Sequence, residues 1–130
     1  MTRKKAREEA FILIFEKAFT DSSTEEILEI AKEVRDLEPD EYINKVFSGV
    51  FENLDEIDSL ISEKAVGWKI ERISKTALSI LRLAIFEIKF FEDIPNSVSI
   101  NEAVELCKTY ATKEDASFVN GILSTIVKEL

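Results

Sequence analysis

Between Arg72 and Phe91 the chain offers almost no polar face. Ile73, Ala77, Leu78, Ile80, Leu81, Leu83, Ala84, Ile85, Phe86, Ile88 and Phe90 nearly encircle a helical axis. A helix that is apolar on most sides must be buried on most sides, so this stretch predicts a central helix wrapped by others. Its few charges, notably Arg82 and Glu87, then have two readings: an intramolecular ion pair, or an emergence at a partner surface where the wrapping opens. No apolar run approaches the ~18 residues of a membrane span, and the N-terminus lacks a secretory apolar region. The expectation is a cytoplasmic protein with no membrane contact.

The wrapping helices follow from three- and four-residue apolar spacing. A first helix is expected over 3–19, with Ala6, Ala10, Phe11, Ile14, Phe15 and Ala18 on one face. A second, over 23–36, opens on Ser22/Glu25 or Ser23/Glu26, both of which fit a capping box, and its apolar face is Ile27, Leu28, Ile30, Ala31 and Val34. Pro39 suits the first position of a third helix, which runs from Tyr42 past Ile61 with a bend near Gly49 or Asn53. After Pro95, Ser99 and Glu102 form another capping box before a stripe of Ile100, Ala103, Val104, Cys107 and Ala111. The polar turn TKED leads to a sixth helix with Phe118, Val119, Ile122, Ile126 and Leu130 inward. Gly121 inside that helix costs about 1 kcal/mol against alanine, which a close backbone approach would explain. Six helices and no strand pattern predict an all-α domain spanning 1–130, packed by helix ridges rather than built around a cofactor.

Missing residue types narrow the chemistry. The chain has no histidine and one cysteine, Cys107, so Ser-His and Cys-His nucleophile pairs, histidine metal sites and an internal disulfide are excluded. Neither glycine-rich phosphate cradle, GxGxxG or GxxxxGK[ST], occurs. With 26 acidic residues, close carboxylate pairs arise by chance and do not argue for an enzyme. No catalytic residue, metal site or cofactor is expected, and Cys107 reads as a small core residue.

Charge is unevenly distributed. The net charge is −9, yet Arg3, Lys4, Lys5 and Arg7 give the first seven residues +4, while residues 8–65 carry −12 and residues 66–130 carry −1. A second basic stretch, 69–89, carries +3. Screening over roughly 8–10 Å lets a local basic patch attract phosphate despite a distant acidic face. Charge alone leaves two readings of residues 1–7, a solubilising tail or a phosphate-binding arm. Cations in a first helical turn oppose the helix dipole, and an external anion would relieve that conflict.

Specific strings now carry a resemblance. RKKAREEA at 3–10, YINKVFSGV at 42–50, ISKTALSILRLAIFEI at 73–88 and above all DIPNSVSINEAVELCKTYATKEDASFVNGIL at 93–123 resemble, in order and spacing, the NusB transcription antitermination family. The resemblance implies a compact fold of two packed three-helix bundles, with subbundles about 1–66 and 67–130. It implies no catalysis. It implies binding of the boxA element of nascent single-stranded RNA together with the ribosomal small-subunit protein NusE. That pair would join other Nus factors and RNA polymerase to sustain transcription of ribosomal RNA operons. An alternative is a self-associating helical interaction scaffold, since some family members form homodimers.

Carried onto this chain, the family's arginine-rich motif falls on Arg3, Lys4, Lys5 and Arg7. Lysine keeps phosphate attraction but lacks the planar fork of arginine, so contacts dominated by charge are expected. The resemblance also assigns Phe15, Lys113, Asp115 and Phe118 to the RNA, and stacking on an aromatic is worth ~1–3 kcal/mol per base. Phe15 lies on the apolar stripe too, where a core position is the competing reading. Arg82 and Glu87 are the implied contacts to the ribosomal partner. Asn101, Glu102, Asn120 and Gly121 read as capping and packing residues.

Overall fold

The apolar periodicities all become helices in the computed structural model, which describes residues 1–130. In chain order they are α1 (Arg3–Lys17), α2 (Thr24–Arg35), α3 (Glu41–Glu52), α4 (Leu54–Lys64), α5 (Lys75–Phe90), α6 (Asn96–Tyr110) and α7 (Lys113–Lys128), with a single 3-10 turn at Ile70–Arg72 before α5. There is no strand, so the all-α expectation holds. No helix is long and apolar enough to cross a membrane.

Helix α5 is the axis of the molecule. From Ala77 to Ile88 only Arg82 escapes burial, and the helix packs on α1, α3, α4, α6 and α7. The inner face of α1, with Ala6, Ala10, Phe11, Leu13 and Ile14, joins the same continuous core. Each large aliphatic side chain so buried contributes about 1.5–3 kcal/mol. Helix α2 packs chiefly on α1 and buries little: Ile27 and Ala31 turn inward, whereas Ile30 and Val34, expected on its apolar face, are exposed.

Four local expectations are corrected. The expected third helix is two, which makes seven helices rather than six. At Asn53 the backbone leaves helical angles (φ −117°, ψ 22°) while its side-chain amide joins its N–H on the Gly49 carbonyl, at 2.8 and 3.0 Å, so α3 ends and α4 restarts at Leu54. Pro39 lies outside α3; Asp40 is the cap, accepting from the Ile43 N–H at 2.9 Å. Ser99 caps nothing, because α6 already begins at Asn96 and carries Ser99 inward to full burial. The close approach expected at Gly121 belongs to Gly49. A Cβ at Gly49 would sit 2.3 Å from the Phe86 ring of α5, whereas one at Gly121 would meet nothing within 4 Å.

The start of α1 is built without an acidic residue. Thr2 caps it by accepting from the Lys5 N–H at 3.1 Å, so the helix can begin at Arg3 and present its basic residues from a fixed first turn.

Candidate nucleic-acid interface

Depth along α1 divides the basic arm, for Arg3 and Arg7 share a helix face and both lie against Tyr42. Arg3, Lys4 and Lys5 are exposed, whereas Arg7, one turn further along, is buried. Lys4 reaches across to α6, its Nζ 3.3 Å from Glu102 Oε2. Lys5 turns back along its own helix to Glu8 at 3.0 Å and Glu9 at 3.6 Å. Arg3 points the other way, its guanidinium 4.5 Å from the centre of the Tyr42 ring on α3. Between the start of α1 and α6 lies an open groove of about 320 Å³, lined by Lys4, Lys5, Arg7, Glu8, Glu102 and Glu105 among others.

Beneath the groove is a buried polar junction. The Glu87 carboxylate of α5 has no solvent exposure and accepts from three elements: Arg7 Nε at 2.7 Å and Nη2 at 3.4 Å, Ser99 Oγ at 2.7 Å, and the Tyr42 hydroxyl. Arg7 Nη1 also donates to Glu102 at 3.1 Å. Burial alone would weaken the arginine's hold on its proton, but the hydrogen bond and charge of Glu87 outweigh it and raise the guanidinium further. Burial, then the charge of Glu87, drives the Tyr42 phenol well above its ordinary range, so it remains a donor. No buried side-chain polar atom is left without a partner.

The junction changes the roles expected of three residues. Arg7 is not free to meet a phosphate. Glu87 has no surface to offer a protein partner. Arg82 is not a free contact either, because α4 holds it through two bonds to Asp58, from Nε at 3.0 Å and Nη2 at 2.9 Å. The ion-pair reading of both charges on α5 is the one that forms.

An aromatic ladder runs along the rest of α1. Phe15 is half-buried, with Phe11 at 6.1 Å and the exposed Phe19 at 4.9 Å between ring centres. Lys75, in the first turn of α5, lies over Phe19 at 5.4 Å. Tyr110, at the end of α6 and 41% exposed, sits 5.0 Å from Phe11 and donates to Glu8 at 2.8 Å. The hydrogen bonds from Lys5 and Tyr110 hold the Glu8 carboxyl below its ordinary value. The three residues at the start of α7 that the resemblance assigns to the RNA separate. Exposed Lys113 lines a groove of about 700 Å³ with Asn101, Lys108 and Asn120. Asp115 and Phe118 instead face a small cleft of about 130 Å³ with Arg72 and Trp68, whose ring lies 6.0 Å from that of Phe118. Phe19, Trp68 and Tyr110 escaped the sequence reading. The four-residue spacing of Phe11, Phe15 and Phe19 was a visible signal; the other two are joined to the site only by folding.

No three His, Cys, Asp or Glu side chains converge as metal ligands. Cys107 is fully buried and burial pushes its thiol up to about 12, which leaves it unreactive near neutrality.

The NusB family model matches residues 4–128. A transcription antitermination protein NusB of Natranaerobius thermophilus is 46% identical, covering 100% of this chain and 97% of its own length. One of Clostridium botulinum is 42% identical, covering 98% and 100%. Among solved structures, T. maritima NusB superposes with a TM-score of 0.89 at 37% identity, over 99% of this chain and 92% of that one. The antitermination factors NusB and NusE in complex with dsRNA give a chain with a TM-score of 0.88 at 27% identity, over 98% and 97%.

Proposed function

The chain belongs to the NusB family of transcription antitermination proteins, and on that premise we propose that it binds boxA of nascent RNA together with the ribosomal protein NusE, to sustain transcription of ribosomal RNA operons. The observation that carries this reading is the exposed cationic start of α1, held by Thr2 beside a groove, on a chain that is otherwise acidic. Arg3, Lys4 and Lys5 supply the attraction for phosphate, and it falls with salt because it is electrostatic. Phe15, with the more exposed Phe19 and Tyr110, supplies flat apolar surface for bases. Lys113, at the start of α7, adds an exposed cation in a second groove beside Lys108.

The protein partner needs a face other than Glu87. Exposed Trp68, edge-on to Phe118 and flanked by Arg72, has the aromatic and arginine chemistry of an interface hot spot. Ile73 and Ser74 line this cleft and the next residue, Lys75, reaches Phe19, so a partner there and an RNA along α1 would share an edge at the start of α5. Binding of a boxA oligonucleotide, measured by anisotropy with and without NusE, tests the reading. Tighter binding with NusE is expected. Equal binding would contradict the shared edge, and concentration-dependent mass without any RNA affinity would favour a self-associating scaffold. A duplex oligonucleotide in the same titration separates single-strand from double-strand preference.

A further inference from the structure

The arm's charge is not presented to solution as +4. Lys4 is neutralised by Glu102, Lys5 by Glu8 and Glu9, and Arg7 by Glu87 with Glu102; Arg3 alone has no carboxylate partner. The two carboxylates that matter stand at the groove between α1 and α6 and are held there by second bonds. Glu102 spends one oxygen on the buried Arg7 and turns the other to Lys4, whose side chain is 74% exposed. Glu8 gives one oxygen to Lys5 and the other to the Tyr110 hydroxyl. Each carboxylate is therefore fixed in the place a phosphate oxygen would take beside an exposed ammonium.

On the RNA-binding reading, we infer that Glu102 and Glu8 are built-in counter-anions of the arm and determine its specificity. They occupy Lys4 and Lys5 until a strand displaces them. An exposed lysine–carboxylate pair contributes little, of the order of surface ion pairs, so the exchange is accessible. It nevertheless taxes every incoming phosphate, because the displaced carboxylate stays anchored in the groove and repels it. A strand that also makes base contacts offsets that repulsion; one that offers only phosphate does not. Exchange of one anion for another also frees fewer counterions than binding to bare lysines, so the salt dependence is shallower than four free cations would give.

The test uses the full chain, boxA RNA and an oligouridylate of equal length. Glu102→Gln keeps an oxygen for Arg7 and removes the charge facing Lys4. It is expected to raise oligouridylate affinity about three- to tenfold, to raise boxA affinity less, and to steepen the salt slope. The gain should vanish in a Lys4→Ala background, which a general change of stability or net charge would not produce. Glu8→Gln, read against Lys5→Ala, repeats the measurement on an independent pair should Glu102→Gln fold poorly. Unchanged or weaker oligouridylate binding in these variants, or a gain that survives loss of the lysine, overturns the inference and leaves the RNA-binding reading intact. Failure of the wild-type chain to hold either RNA at low salt removes that reading, and the inference with it.

Discussion

Two charged clusters lie within one helical turn of each other and are governed by opposite physics. Around Glu87 an arginine, a tyrosine and a serine from three helices converge on a carboxylate with no exposure. Around Lys4, an ammonium and a carboxylate of the same formal charges meet in a solvent-filled groove. In the interior, desolvation makes a broken pair severe because the surviving charge has no water to replace its partner. At the rim, water takes the partner's place at little cost. Burial therefore decides which member of one basic motif is structural and which is available to a ligand.

The largest expected effect breaks the interior cluster. Glu87→Ala leaves buried Arg7 with Glu102 alone and takes the acceptor from Tyr42 and Ser99, and should lower stability by about 3–5 kcal/mol in urea unfolding, far more than Lys4→Ala does. If the two variants unfold at similar urea concentrations, the contrast between the clusters is wrong. A second comparison needs no charge at all. Gly49→Ala drives a Cβ into the buried Phe86 ring and should cost about 1–3 kcal/mol, while Gly121→Ala, opening on solvent, should gain up to about 1 kcal/mol from helix propensity.

Alkaline pH probes the same interior. Tyr42 and Cys107 keep their protons in the fold to higher pH than in the unfolded chain. The unfolded state therefore releases protons first, and stability falls as pH rises from the thiol's ordinary 9.0 toward about 12. The loss is at most about 1.4 kcal/mol per pH unit for each group, and urea midpoints at pH 8, 9 and 10 would reveal it. A flat profile would mean that neither group is shielded as the structure has it. Smallest of all, Lys4→Ala should shift stability by no more than about 1 kcal/mol, seen in the same unfolding assay.

What the sequence made legible follows the same division. The central helix was readable because eleven apolar side chains between Ile73 and Phe90 leave a helix no solvent face. The arm was readable because charge is local in sequence. The sorting of Arg7 from Lys4 and Lys5 was not, since it depends on Glu87, Ser99 and Glu102, eighty or more residues away. Ser99 looked like a cap because a serine three residues before a glutamate is a local pattern, whereas its actual partner lies on another helix. Gly121 and Gly49 were likewise indistinguishable until α3 crossed α5.

The most direct measurement is the salt dependence of boxA binding for Lys4→Ala/Lys5→Ala beside the wild-type chain, with unfolding followed in parallel. The log–log slope should flatten by up to about 0.7 for each phosphate that the variant no longer neutralises, while the urea midpoint hardly moves. An unchanged slope in that double variant would contradict an RNA path over the start of α1.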